Sequence, residues 1–483
     1  MLITLMLTPL LGAIVVMAMP DKTVKQTESI KTVSLWFGIA TLALAFYVWA
    51  IFDEGVVGYQ MTTYSESGGW AIHFGIDGLS LYYVLLTAML TPICQLASWS
   101  NVKHSIRLYN AMQLIACALL LMVFTQIDLL MFYIAFEAVL MPMFFMIGMW
   151  GGSPSRTRSA MLLFLYTLFG SLFMLLAMLN IYACLGTFDM TIMHGVAMDN
   201  DMQKLMWLSF AIAMAIKTPL VPFHMWLPRA HADAPLAGSM VLAGTVLKLA
   251  SYGVLRVMIP MFPYASMYYS PFVYMVAIVS LVYASFATMR QSDFKALVAY
   301  SSIAHMAVVV MGLFSNTLMG ITGAILLSLA HGFISPLMFM LVGGVLYDRY
   351  HSRQMRYYRG MATSMPIFGA VMFYAICANM GVPLTLNWLG EWMALAGSFQ
   401  YSFMAGAFGA TSIVLSACYS VWLWARICTG TDVAYMKYTM DVTRREMAVM
   451  VPLILMPLLM GIKPNLLMDV IGSAAMTILY LTY

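Results

Sequence analysis

Met214–His231 reads MAIKTPLVPFHMWLPRAH. The residues before it, Leu205–Ala213, have the apolar make-up of a membrane helix. Lys217 nevertheless lies well inside the run, and Pro219 and Pro222 follow at once. Proline removes a backbone donor and frees the carbonyl about one turn earlier. A charge at the centre of a membrane helix costs at least about 2.5–3.5 kcal/mol. Both are tolerated at membrane depth only where the freed groups face protein or line a water-filled cavity. The stretch therefore predicts a helix that breaks beside a lysine in a hydrated interior, where the amine can gain and lose a proton.

The composition around it agrees. The chain has 483 residues, 63% hydrophobic and 9% charged, with a mean hydropathy of +0.89. Soluble domains are about 45–50% apolar and about 25% charged, so this is a polytopic membrane protein. No polar stretch is long enough for a soluble domain, and no P-loop or GxGxxG motif appears. Nucleotide, flavin or iron–sulfur domains are thereby excluded. The six cysteines stand apart in apolar runs without metal spacing and read as core or lipid-facing residues. Leu2–Met19 lacks a basic leader and reads as a retained first helix. The 49 methionines suggest organelle-type codon usage.

Spans of about 20 mostly apolar residues fall at 2–19, 33–52, 79–99, 109–127, 129–149, 159–185, 204–227, 237–259, 271–289, 297–314, 318–347, 366–400, 403–428 and 446–462. That is fourteen, with 464–482 as a tail helix. Basic residues crowd the loops after odd-numbered spans, from Lys22, Lys25 and Lys31 through Arg349, Arg353, Arg356 and Arg359 to Lys437, Arg444 and Arg445. The other side carries only Lys204 and Lys463. The positive-inside rule then puts both termini on the side away from the cytoplasm or matrix.

Nine ionisable residues remain inside the spans: Glu137, Lys217, His224, Lys248, Arg256, His305, His331, Glu391 and Arg426. Such groups pair, line water, or sit near an end. Arg256 and Arg426 lie close enough to span ends to snorkel. Glu137, Lys217 and Lys248 lie near mid-span, which suits a proton relay better than one isolated structural pair. His305 and His331 titrate near neutral pH. Either could instead be a hydrogen-bonded core residue, but neither helix repeats histidine on one face as paired haem ligation would require.

A second interrupted span lies five helices on, in AICANMGVPLTLNWLGEWMAL (Ala375–Leu395), with Gly381 and Pro383 at the break and Glu391 after it. Interruptions at matching positions of two halves point to an inverted-repeat transporter. Helices 4–8 and 9–13 become the repeats, with Lys217 matching Glu391 and Glu137 matching His305. A further break is expected at Gly332–Pro336 in the eleventh span. The expected organisation is 1–108 for helices 1–3, 109–259 and 271–428 for the repeats, and 429–483 for helix 14 and the tail. The fold class is all-α polytopic, with about 14 transmembrane helices and broken helices 7 and 12.

The run Ala215–Arg256, AIKTPLVPFHMWLPRAHADAPLAGSMVLAGTVLKLASYGVLR, resembles the antiporter-like membrane subunits of respiratory complex I. AYSSIAHM, LAHGFISP, GGVLYDR and NWLGEW follow in that family's order, and the likeness extends from about Gly75 to about Met460. One departure is the turn at Pro383, GVPLT here where relatives often carry LPGT or PPT. The resemblance implies a proton channel through Glu137, Lys217, Lys248, His305, His331 and Glu391. It implies that redox chemistry occurs elsewhere in an NADH:ubiquinone oxidoreductase. This chain would then hold no NADH, flavin or quinone, and FMN and iron–sulfur clusters would belong to partner subunits. Expected partners are other complex I subunits, neighbouring antiporter-like chains first, and membrane lipids such as cardiolipin, with no nucleic acid. The expected location is the mitochondrial inner membrane, multi-pass, with both termini facing the intermembrane space.

An ion pair at about 4 Å and an effective dielectric near 20 is worth about 4 kcal/mol. Moving one charge against about 200 mV costs about 4–5 kcal/mol. Making and breaking a Glu137–Lys217 pair is therefore large enough to load and release a proton, which would pass through Lys248, His305 and His331 towards Glu391. Rival readings are a subunit of a multisubunit Na⁺/H⁺ antiporter, a passive membrane-arm scaffold, and a haem-binding cytochrome.

Overall fold

A computed structural model describes residues 1–67, 70–194, 196, 198–431 and 440–480. Lys437, one of the basic loop residues, lies outside the described residues. Among those described, eleven helices are long and apolar enough to cross a membrane. The remaining expected spans, 2–19, 204–227 and 366–400, correspond to short or divided helices. These are Leu2–Ala18, then Asn200–Lys217 with Trp226–Asp233, then Pro366–Asn379 with Leu386–Tyr401. The expected tail helix is Asn465–Tyr480.

Both expected breaks occur where the prolines and glycines fall. The helix carrying Lys217 ends on that residue, and Thr218 caps it. The helix before Glu391 ends at Asn379, and its continuation starts at Leu386, capped by the Thr385 side chain. The chain between them passes through Gly381 at φ 74° and Leu384 at φ 74°. The eleventh span departs from expectation. It runs as unbroken α-helix from Leu318 through Pro336 to Phe339 and then widens to a π-helix over Met340–Leu346. A proline inside a membrane helix can be absorbed by such local widening, so the irregularity falls one turn later than the sequence placed it.

Two further irregularities sit beside expected site residues. The fifth span divides into Leu129–Ala138 and Leu140–Trp150, because Pro142 has no N–H to give to the carbonyl of Ala138. The eighth carries π-helical turns at Leu242–Val246 and Val254–Met258, on either side of Lys248. π-turns are inserted irregularities that frequently mark functional positions.

The chain is not wholly helical. An antiparallel hairpin, Gln60–Ser67 with Trp70–Ile76, follows the second helix. It breaks the apolar pattern too briefly to register among long helical runs. The chain forms two compact units. One comprises 1–218, 245–270 and 469–483, and the other 219–244 and 271–468. In the first, Gly253 of the Lys248 helix faces the Met214 side chain of the Lys217 helix, whose Cε would lie 2.6 Å from a Cβ placed there. In the second, Phe294–Leu313, Leu318–Phe339, Leu386–Tyr401 and Phe403–Cys428 pack on one another. Helices such as Arg156–Leu185 and Phe403–Cys428 keep apolar faces exposed, as chains in lipid do.

Candidate functional site

Each unit buries its own group of ionisable side chains. In the first, Asp128 caps the helix Leu129–Ala138 by accepting from Met131 N at 2.9 Å, and that helix carries Glu137. The carboxylate's Oε1 is buried and makes no hydrogen bond. Lys217 is 1% exposed and terminates its helix, where the C-terminal dipole favours a cation. Its Nζ donates to Phe136 O at 3.4 Å and lies 4.1 Å from the centre of the Phe136 ring. Glu137 is within electrostatic reach of the amine, but the two form no direct ion pair. The lysine is held instead by the carbonyl and ring one residue earlier. Lys248 is fully buried between its two π-turns.

In the second unit, His305 Nδ1 and Glu391 Oε1 are 2.8 Å apart, with both side chains almost completely buried. Tyr419 Oη approaches the other ring nitrogen of His305 at 3.4 Å. The His331 ring centre lies 5.9 Å from that of His305. Asn379, the last helical residue before the break, donates to Ser420 Oγ at 3.3 Å. The order along this cluster therefore differs from the sequence reading. His305, not His331, contacts Glu391, because the half-helix after the break carries the carboxylate against the His305 helix. His224 is buried against the Tyr283 ring.

Gly381 adjoins Glu391, and a Cβ at that position would stand 2.8 Å from Glu391 Oε2. With φ at 74°, glycine is also the residue that adopts this conformation without strain. The break thus shapes the pocket that holds the carboxylate.

Arg256 corrects the sequence reading. Rather than extending freely into solvent, it is 7% exposed and held by fixed partners. Its guanidinium lies 2.6 Å from Asp77 Oδ1, donates to Tyr59 Oη at 3.1 Å, and reaches Tyr252 Oη at 3.3 Å. The hairpin makes this possible. Gln60 pairs with Ile76 across it, so the flanking residues Tyr59 and Asp77 arrive together on the arginine. Arg426, in contrast, is exposed and lies over the Trp422 ring. Tyr419, Asn379, Tyr252 and Asp77 escaped the sequence reading. The first three look like ordinary polar residues in apolar spans, and Asp77 looks like a loop residue. Among the described residues, no group of three His, Cys, Asp or Glu could hold a metal ion, and the six cysteines are free.

The family model described as NADH:quinone oxidoreductase/Mrp antiporter, TM, matches residues 127–416. The chain's fold is similar to that of a chain of respiratory complex I from Thermus thermophilus with bound NADH (TM-score 0.91, 26% identity, all of both chains covered). It also resembles a chain of the Mrp complex from a Dietzia species (TM-score 0.87, 20% identity, 99% and 98% covered), which shows the shared fold alone. The chain belongs to this family of antiporter-like membrane subunits. Within it, the chain is 50% identical to NADH-ubiquinone oxidoreductase chain 4 of Mycosarcoma maydis, over 99% of both chains. It is 41% identical to the protein of that name from Chondrus crispus, over 99% of this chain and 98% of the other. It is thus a chain-4-type membrane subunit of NADH:ubiquinone oxidoreductase, multi-pass in the mitochondrial inner membrane.

Proposed function

We propose that the chain moves protons through two buried clusters, Glu137–Lys217–Lys248 in one unit and His331–His305–Glu391 in the other. The movement is driven by redox chemistry in partner subunits that hold FMN and iron–sulfur clusters. The observation that carries this reading is the His305–Glu391 contact, a hydrogen-bonded titratable pair at membrane depth beside a helix break. Buried charges of this kind mark ion pathways by default. Glu137 tunes the proton affinity of Lys217 without touching it. Unit charges at an effective dielectric near 20 interact by about 4 kcal/mol at about 4 Å and less beyond, and a proton crossing about 200 mV needs about 4–5 kcal/mol. A modest swing of the Glu137 side chain is therefore commensurate with the load.

In this reading the chain crosses the membrane fourteen times, as inverted repeats of helices 4–8 and 9–13. Residues 1–108 precede them and 429–483 follow. Both termini face the intermembrane space, neighbouring antiporter-like chains lie at each end, and lipids such as cardiolipin line the flanks. Cysteine labelling of the loop 348–365 tests the orientation. Label should enter only after the inner membrane is opened, and ready labelling from outside would reverse the topology. The relay itself is tested by Lys217→Met in the assembled complex. Assembly is expected to persist, because Pro219 and Pro222 still break the helix, while proton pumping and coupled quinone reduction fall steeply. Full pumping would leave the chain a scaffold.

A further inference from the structure

A relay at membrane depth has to be insulated from the side onto which protons are delivered. With about 200 mV across the membrane, a return path would dissipate about 4–5 kcal/mol per proton. The first unit contains a barrier suited to this. From Lys217 a series of buried aromatic rings leads away. Phe136 stacks near Phe132 with ring centres 5.8 Å apart, and Phe132 lies 6.3 Å from Tyr252. Tyr252 meets Phe124 at 5.1 Å and Tyr83 at 5.8 Å, and those two stack at 5.2 Å. All five rings are essentially inaccessible. The Tyr252 hydroxyl in this layer donates to the Phe124 carbonyl at 3.0 Å.

Arg256 closes the far side of the rings. Beyond it lies a cavity of about 90 Å³ whose lining includes Glu54, Tyr59, Asp77, His194, Arg256 and Ser473. The space is large enough for several waters, which need roughly 10–15 Å³ each on this measure. It sits at the end of the bundle whose loops are poor in basic residues, the intermembrane-space side in the proposed orientation. Guanidinium does not deprotonate in proteins, so it passes no proton, and its charge repels hydronium as the arginine of an aquaporin-type pore does. Burial by itself would raise the Asp77 carboxyl. The Arg256 charge and hydrogen bonds from Arg256 and Ser80 outweigh it and hold the group below its usual value. Asp77 therefore stays ionised and pins the arginine in place.

We infer that Arg256, pinned by Asp77 and Tyr59 and backed by the Phe124–Phe132–Tyr252 ring layer, is a seal that blocks proton return to Lys217 and Lys248 from the outer cavity. The inference rests on the proposed relay and adds a residue whose task is to prevent conduction.

The test uses the complete complex in liposomes with a trapped pH dye, a potassium diffusion potential set with valinomycin, and no NADH. The wild type is expected to be tight. Arg256→Met should leak at least about tenfold faster, the change given by lowering a barrier by ~1.4 kcal/mol, and should pump fewer protons per NADH. NADH:quinone electron transfer in detergent should be retained, since a merely structural role would reduce turnover and leave the leak unchanged. Arg256→Lys keeps a cation but one that can lose its proton when buried, so it should leak less than Arg256→Met and more than the wild type. If Arg256→Met does not assemble, Arg256→Gln is read in the same way. An assembled neutral variant as tight as the wild type overturns the seal, and so does an Arg256→Lys complex as leaky as Arg256→Met. Combining Arg256→Met with Lys217→Met separates the two ideas. Loss of the leak supports both seal and relay, while a persisting leak supports the seal and removes Lys217 from the path.

Discussion

Glu391 Oε1 lies 2.8 Å from His305 Nδ1, although the two residues are 86 positions apart and sit on different helices. Tyr419 occupies the other face of the imidazole, and the backbone at Gly381 closes on the second carboxylate oxygen. The histidine therefore has a defined partner at each nitrogen. The carboxylate stands at Nδ1 and the phenol at Nε2.

Glu391→Gln and His305→Gln should each reduce proton pumping strongly while the complex still assembles. One hydrogen bond joins the two groups, so the double variant should be little worse than either single one, with a coupling of about 0.5–3 kcal/mol. Pumping rates from all three variants in proteoliposomes, compared with wild type, give the cycle. Additive losses would mean that the two residues serve separate steps.

The same logic applies to Glu137 and Lys217, with a different expectation for geometry. Because the two side chains make no direct ion pair, Glu137→Gln should impair pumping less than Lys217→Met. Glu137→Asp, which withdraws the charge by one methylene, should fall between Glu137→Gln and wild type. Proton uptake measured alongside NADH oxidation ranks the four proteins. Equal loss in Glu137→Asp and Glu137→Gln would point to a contact that the structure lacks.

Gly381→Ala introduces a Cβ 2.8 Å from Glu391 Oε2 at a φ of 74°. The left-handed conformation costs a non-glycine residue roughly 1–2 kcal/mol, and relief of the contact must move the carboxylate. Pumping is expected to fall several-fold with assembly on native gels little changed. Wild-type pumping would show that the break can shift without disturbing the pair.

His194, outside the membrane-spanning segments, is held down to about 4 by burial and then by the charge of Arg256, with its Nε2 unpaired. The sign follows from linkage. The unfolded segment takes up its proton near pH 6.5 and the folded one only near 4, so local stability is constant above about 6.5. Below that it falls by up to about 1.4 kcal/mol per pH unit as pH drops towards 4. Hydrogen exchange of residues 186–194, corrected for intrinsic rate, should rise between pH 7 and 5. His194→Gln should flatten that rise, and an identical rise in the variant would assign the pH response to another group.

The breaks were legible because they are local chemistry. Pro219, Pro222, Gly381 and Pro383 act on their own carbonyls and dihedrals, and each interruption lies where those residues stand. Pro142 carried the same signal for the division beside Glu137. Its effect is one missing bond rather than a turn of chain, so it is easily passed over within an apolar run. Pro336 misled for the converse reason, since the helix accommodated it by widening at Met340–Leu346.

By itself the sequence determined that this chain lies in a membrane, roughly where it crosses, and which charges are left at depth. Those follow from the cost of polar groups in hydrocarbon, which each residue incurs on its own. Which charges meet was decided only by the tertiary structure. Glu391 could have faced either histidine until its half-helix packed on Phe294–Leu313. Arg256 looked free to reach water until a hairpin brought Asp77 and Tyr59 onto it. A partner distant in sequence leaves no periodicity or local composition to read, because its energy arises from geometry that exists only once the chain has closed.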